Sequence, residues 1–335
     1  MVAASGGRDC GRNYIIDILK IIACFLVFRI HMGEVSVYTP FVLFAVPVFI
    51  FISSYNYTAS SYVHNLDTIK KWFGLKHFFR MVKRLYLPYI VFAVCQLVLI
   101  FALNAGYDTG NVILSFFVGG YGPGNYYLLL MFQVMLVFPF LLSFTRKKPN
   151  LTLVLCLIFY FAYQLVMCLV FPDNPGDVTT LGGAINKWTV FRWIFLIECG
   201  IYFYIKIDKI KWWQLVLIMF ADIIPYIVEL TTDLPTLYIR GIPYHFIVTG
   251  IVGLCIKYLN RISFGRLNGV IAFCGRATWH IFLFQQLYFW LIELVDWQFG
   301  FTYISFPICF AGGLLFFAAQ VAISKLIKNK NNPAQ

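Results

Sequence analysis

Lys20 and His31 stand eleven residues apart in a stretch built otherwise almost wholly from apolar side chains. On an ideal helix they project about 20° from one another and lie roughly 16 Å apart along the axis. One face thus carries a cation at one end and, at the other, the side-chain type that takes and returns a proton near neutrality. Asp17 and Glu34 fall near the same stripe, whereas Arg29, nine residues from Lys20, projects from the opposite face and can snorkel. An ionisable side chain within a membrane span costs at least about 2.5–3.5 kcal/mol, so it faces a protein interior, a water-filled cavity or a partner. A structural ion-pair ladder and a proton-transfer site both satisfy that rule, and His31 favours the second. Arg192, Glu198, Asp222, Arg240, His245 and His280 also interrupt apolar stretches. Arg192 and Glu198 are six residues apart, roughly 240° on a helix, so each needs a partner on another element.

The elements that must position these residues follow from composition. Of 335 residues, 61% are hydrophobic and only 12% charged, against about 25% charged in soluble proteins, which excludes a soluble domain and a disordered chain. Stretches long enough to cross a bilayer run over 14–33, 40–57, 86–104, 125–144, 151–171, 190–205, 212–229, 238–256, 277–295 and 303–324. This predicts an all-α, polytopic integral membrane protein with about ten transmembrane helices. With both termini cytoplasmic, 21 of the 26 Lys and Arg residues fall on the cytoplasmic side. Lys187 alone falls in an outside loop, and Lys20, Arg29, Arg192 and Arg240 lie within spans. That asymmetry sets the orientation and assigns the net charge of +12 to a membrane face, not to nucleic acid.

The chain reads as one membrane domain over 14–324 between a cytoplasmic N-terminal tail, 1–13, and a cytoplasmic tail, 325–335. Its longest cytoplasmic connection, 58–85, carries six Lys or Arg together with Trp72, Phe73, Phe78 and Phe79. It reads as an amphipathic element at the interface where a polyanionic cytosolic ligand can dock. Nine cysteines without a C-x-x-C pair argue against a disulfide framework and against a metal site. The Gly119–Asn125 run lacks the G-K-[ST] ending of a phosphate loop and reads as a rigid, aromatic-rich turn on the outer side.

Five segments together resemble the bacterial acyltransferase 3 family of integral membrane O-acyltransferases, which includes surface-polysaccharide O-acetyltransferases. They are Asp17-Ile18-Leu19-Lys20 with His31; Val46-Pro47-Val48-Phe49-Ile50-Phe51-Ile52-Ser53-Ser54-Tyr55; and the basic run from Arg80 through Lys83-Arg84 to Pro88-Tyr89. The others are Gly124-Asn125-Tyr126-Tyr127 with Gln133 and Phe138-Pro139, and Gly275 to Gln285. Lys20 stands where the family more often has Arg, Ser54 where Gly is usual, and Lys83 is the second basic member of the R-x-x-R pair. Lysine keeps the charge but not the bidentate fork.

The resemblance implies transfer of an acetyl group from cytosolic acetyl-CoA to a hydroxyl of a cell-surface or lipid-linked polysaccharide, at a bacterial inner (plasma) membrane. Arg80, Lys83 and Arg84 would hold the CoA phosphates, and Lys20 would guide the pantetheine arm, whose extended length is on the order of the Lys20–His31 separation. His31 would act as general base or transient acyl carrier, with Glu34 or Glu198 as orienting carboxylate. Expected partners are acyl-CoA, a glycan or lipid-linked oligosaccharide and membrane lipid, with a homo-oligomer allowed for. A polysaccharide exporter or flippase, or a succinyltransferase of the same broad family, stays open as the alternative.

Overall fold

The computed structural model describes residues 12–32, 44–103, 112, 115–117, 119–171, 181–231, 244–260, 262–295 and 304–331. Among them all regular structure is helical. The helices are α1 (Tyr14–His31), α2 (Ala45–Val63), α3 (Ile69–Trp72), α4 (Leu75–Ala102), α5 (Tyr126–Lys147), α6 (Pro149–Val170), α7 (Leu181–Trp188), α8 (Ile194–Lys206), α9 (Trp212–Thr231), α10 (His245–Leu259), α11 (Asn268–Leu294) and α12 (Ser305–Asn331). Local signals set their starts. Asn13 accepts from the N–H groups of Ile15 and Ile16 at 3.1 and 3.4 Å and caps α1. Thr68 caps α3 through the Lys71 N–H, and Pro149 opens α6, where its missing N–H costs nothing.

Five of the described helices (α4, α5, α6, α12 and the 265–294 stretch containing α11) are long and apolar enough to cross a membrane. Their outward faces are apolar as well: Leu155, Ile158 and Leu169 on α6, Phe101 on α4 and Leu315 on α12 are all exposed. In water such a surface would be a liability; in lipid it is the required exterior. The chain is a multi-pass membrane protein.

Because lipid tails compete equally for apolar side chains, small residues and close packing hold such helices together. α2 packs along α8, α1 along α2 and α11, α9 along α10, and α11 along α12. At the α2–α8 crossing a Cβ added to Gly200 would stand 2.5 Å from the Phe51 carbonyl oxygen and 2.8 Å from the Ser54 Cβ. Ser54, small and bonded back to the Ile50 carbonyl at 3.0 Å, therefore serves the close approach that a glycine would also allow. Gly200→Val is expected to force the two helices apart at a cost of about 1–3 kcal/mol, read as a lower melting temperature in detergent.

The 58–85 connection differs from the sequence reading in two respects. The basic stretch inside 58–85 is not a separate interfacial element: residues 75–84 are the first turns of α4, whose 28 residues span about 42 Å against a hydrocarbon core of about 30 Å. Its start therefore projects beyond the apolar layer. Trp72 does not lie on lipid either. It is buried, its Nε1 donates to the Met135 carbonyl at 3.4 Å, and its ring meets Tyr57 and Phe138. Arg146 ties the same connection to α5, donating to the Leu66 carbonyl at 2.9 Å and the Ser61 hydroxyl at 3.0 Å.

Candidate active site

Asp17 fixes one end of the polar stripe. Its carboxylate lies 2.6 Å from the Arg12 Nε and 3.5 Å from the Lys20 ammonium, and Arg12 also donates to the Ala272 carbonyl at 2.9 Å. Gly275 makes room for this: a Cβ there would collide with the Asp17 side chain. At the other end the His31 ring meets Phe289 at 5.6 Å between centroids. Both Gly275 to Phe289 and Asp17 to His31 span fourteen residues, so α1 and α11 run parallel and in register.

Lys20 lines a cavity of about 140 Å³ with Phe49 and Ser53 of α2, Leu85 of α4, Tyr127 of α5, and Thr278 and Trp279 of α11. Each of the five sequence motifs contributes to that wall. Tyr127 packs on Phe49, Trp279 and Phe282 at 6.1, 6.0 and 5.2 Å and bonds Ser53. The Trp279 Nε1 donates to the Leu85 carbonyl at 3.0 Å. The cavity thereby abuts Arg84, which is close enough to act electrostatically on both Lys20 and Tyr57. Arg80, Lys83 and Arg84 are exposed on the projecting end of α4, spaced to share one side of the helix. None of them has an ion-pair partner among the described residues, in contrast to Lys71, which pairs with Asp67 at 2.7 Å.

The structure does not bring Glu198 to His31. Glu198 is buried and its Oε2 lies 2.7 Å from the Thr145 hydroxyl, near the C-terminal end of α5. His31 lies instead at the N-terminal end of α5, within electrostatic reach of Lys187, whose ammonium sits 4.6 Å over the Tyr126 ring. Tyr126 and Thr145 are nineteen residues apart, about 28 Å along the helix. Orientation of His31 by Glu198 is thus corrected: the two belong to opposite ends of the bundle, a separation that a helical wheel of one span cannot register. Glu34 and Arg240 lie outside the described residues.

Other polar residues find structural work. Asp222 accepts from the N–H groups of Phe246 and Ile247, both at 2.8 Å, and caps α10 from a neighbouring helix. His280 bonds Gln320 at 2.7 Å and so ties α11 to α12.

At the His31 end of the bundle the glycine run forms a turn. Gly119, Gly120, Gly122 and Gly124 all have positive φ, which glycine alone adopts freely. Gln96 clamps the turn by donating to the Tyr121 carbonyl at 2.8 Å and accepting its N–H at 3.1 Å, while Gln286 donates to the Gly119 and Tyr121 carbonyls.

A family model of the acyltransferase domain matches residues 13–325, nearly the whole chain. The chain belongs to the acyltransferase 3 family. No curated protein and no solved structure matches it. Membership of this family of membrane acyltransferases explains why the five motifs meet at one cavity: they are scattered in sequence but wall a single space.

The sequence reading passed over Ser53, Thr278 and Trp279 as site residues, although each lay within a motif already singled out. Gln133, a residue of the fourth motif, has a structural role. Its Nε2 donates to the Trp188 carbonyl at 2.9 Å and its Oε1 accepts the Val190 N–H at 3.0 Å, pinning the corner between α7 and α8. Gln133→Leu is expected to leave both backbone groups unpaired, at about 1–3 kcal/mol each. The check is faster hydrogen exchange across 186–193 without change at α11.

Proposed function

We propose that this chain is a membrane-bound O-acetyltransferase that moves an acetyl group from cytosolic acetyl-CoA to a hydroxyl of a surface or lipid-linked polysaccharide. In this reading about ten helices cross a bacterial plasma membrane, both termini face the cytoplasm, and Arg80, Lys83 and Arg84 lie on the cytoplasmic side. The observation that carries the reading is the continuous order of exposed cations, Lys20-lined cavity and His31 along one axis.

The donor's phosphates meet the three free cations of α4, where charge-assisted hydrogen bonds hold them. Its extended arm then enters past Lys20, which Asp17 keeps fixed. His31, about 16 Å further along α1, removes the proton from the attacking hydroxyl. The new ester C–O bond forms as the thioester C–S bond breaks, and the departing thiolate is protonated to free CoA. The buried lining excludes water, which would otherwise hydrolyse the thioester. The proton NMR spectrum of the producing cell's surface polysaccharide tests the reading: O-acetyl resonances present with the protein should vanish in its absence. A spectrum that stays the same would contradict it.

A further inference from the structure

Arg192 carries a charge that the acetyl-transfer reading does not use. It sits in the 3-10 turn Val190–Trp193 that opens α8, partly buried, with its guanidinium carbon 5.2 Å over the Trp193 ring. Among the described residues its buried Nε has no hydrogen-bond partner and no carboxylate pairs with it. Lys187, one turn earlier in the chain, is close enough to feel the Arg192 charge, and the two repel. Two cations therefore converge with no anion between them among the described residues, an arrangement that burial penalises unless a counter-charge is supplied.

A second observation points the same way. His245 is fully buried between the rings of Tyr160 and Trp193, at 4.9 and 5.3 Å, and among the described residues both its ring nitrogens lack a hydrogen-bond partner, as does the Tyr160 hydroxyl. Buried polar atoms are almost always bonded, and these lie within electrostatic reach of Arg192. The acid in reach of Tyr160, Asp222, already spends one oxygen on the N-terminus of α10. Aromatic faces beside charged and neutral donors suit a sugar ring bearing an acidic group.

We propose that Arg192 and Lys187 bind an acidic group of the acyl acceptor, a sugar carboxylate or phosphate, and so select charged acceptors over neutral ones. The proposal rests on the acyltransferase reading for the word acceptor. It places the acidic group at the His31 end of the bundle, because Lys187 lies within electrostatic reach of His31 and covers Tyr126 at the start of α5. Among the described residues the other ionisable groups near it are Tyr126, Tyr160, Tyr163, His245, Asp222 and His31.

The test is calorimetric titration of the purified chain in detergent with glucuronate, glucose 1-phosphate and glucose, with no acyl donor present, so it stands apart from any failure of acyl transfer. At least one acidic sugar should bind ten times more tightly than glucose. Glucuronate alone would identify a carboxylate and glucose 1-phosphate alone a phosphate. Arg192→Gln should weaken that binding by about tenfold to a hundredfold, the value of one charge-assisted contact. Lys187→Gln, at the more accessible position, should weaken it by a smaller factor and serves where Arg192→Gln fails to fold. Equal affinity for all three sugars, or unchanged affinity in the variant that folds, would overturn the proposal.

Discussion

Replacing His31 by alanine is expected to lower acyl transfer by about 10²–10⁴-fold, the usual contribution of a general base, while protein level and the KM for acyl-CoA change little. The second half of that expectation comes from the packing. His31 has no hydrogen-bond or ion-pair partner among the described residues, and its described ring contact is with Phe289, so its removal strands no buried polar group among them. A structural histidine would behave in the opposite way, as His280 should, because its loss strands Gln320. The measurement is initial rate against donor and acceptor concentration, with a gel-filtration profile to show that the variant is folded. Wild-type rates in His31→Ala would remove the base from the mechanism.

Neutralising the α4 dock should instead appear in donor affinity. Arg80→Gln, Lys83→Gln and Arg84→Gln combined are expected to raise the KM for acyl-CoA by about a hundredfold, with kcat nearly unchanged. A single charged hydrogen bond contributes about 1.5–3 kcal/mol when well formed. These three sites are exposed, and solvent and salt screen them, so the sum falls short of three full contacts. The same screening gives a second readout: the wild-type KM should rise with ionic strength and that of the triple variant should not. Acceptor KM serves as the internal control, because the dock and the His31 end of the bundle are separated by the length of α1.

The helical, membrane-type character was legible in the sequence because long apolar stretches announce it: each of the ten stretches overlaps a helix among the described residues, and five of those helices are long and apolar enough to cross a bilayer. The ends were less legible. Hydropathy marks where a helix leaves lipid, not where it stops, so the basic first turns of α4 and the 268–276 start of α11 were hidden. The Lys20–His31 stripe could be seen because it lies on one helix, where spacing alone fixes direction and depth. Relations between helices could not: Glu198 was a reasonable carboxylate for His31 until its bond to Thr145 showed its depth. The Arg192–Lys187–His245 grouping was equally invisible, since it joins residues from three separate elements.

The central claim is that acyl groups pass from a donor at the α4 end of the cavity to a hydroxyl at the His31 end. It is tested most directly in proteoliposomes of the purified chain, with glycan acceptor enclosed and acetyl-CoA labelled in its acetyl group added outside. The account predicts alkali-labile label on the enclosed glycan that depends on His31 and disappears in His31→Ala. Glycan that stays unlabelled with active donor uptake excluded, or label that persists undiminished in His31→Ala, would contradict it.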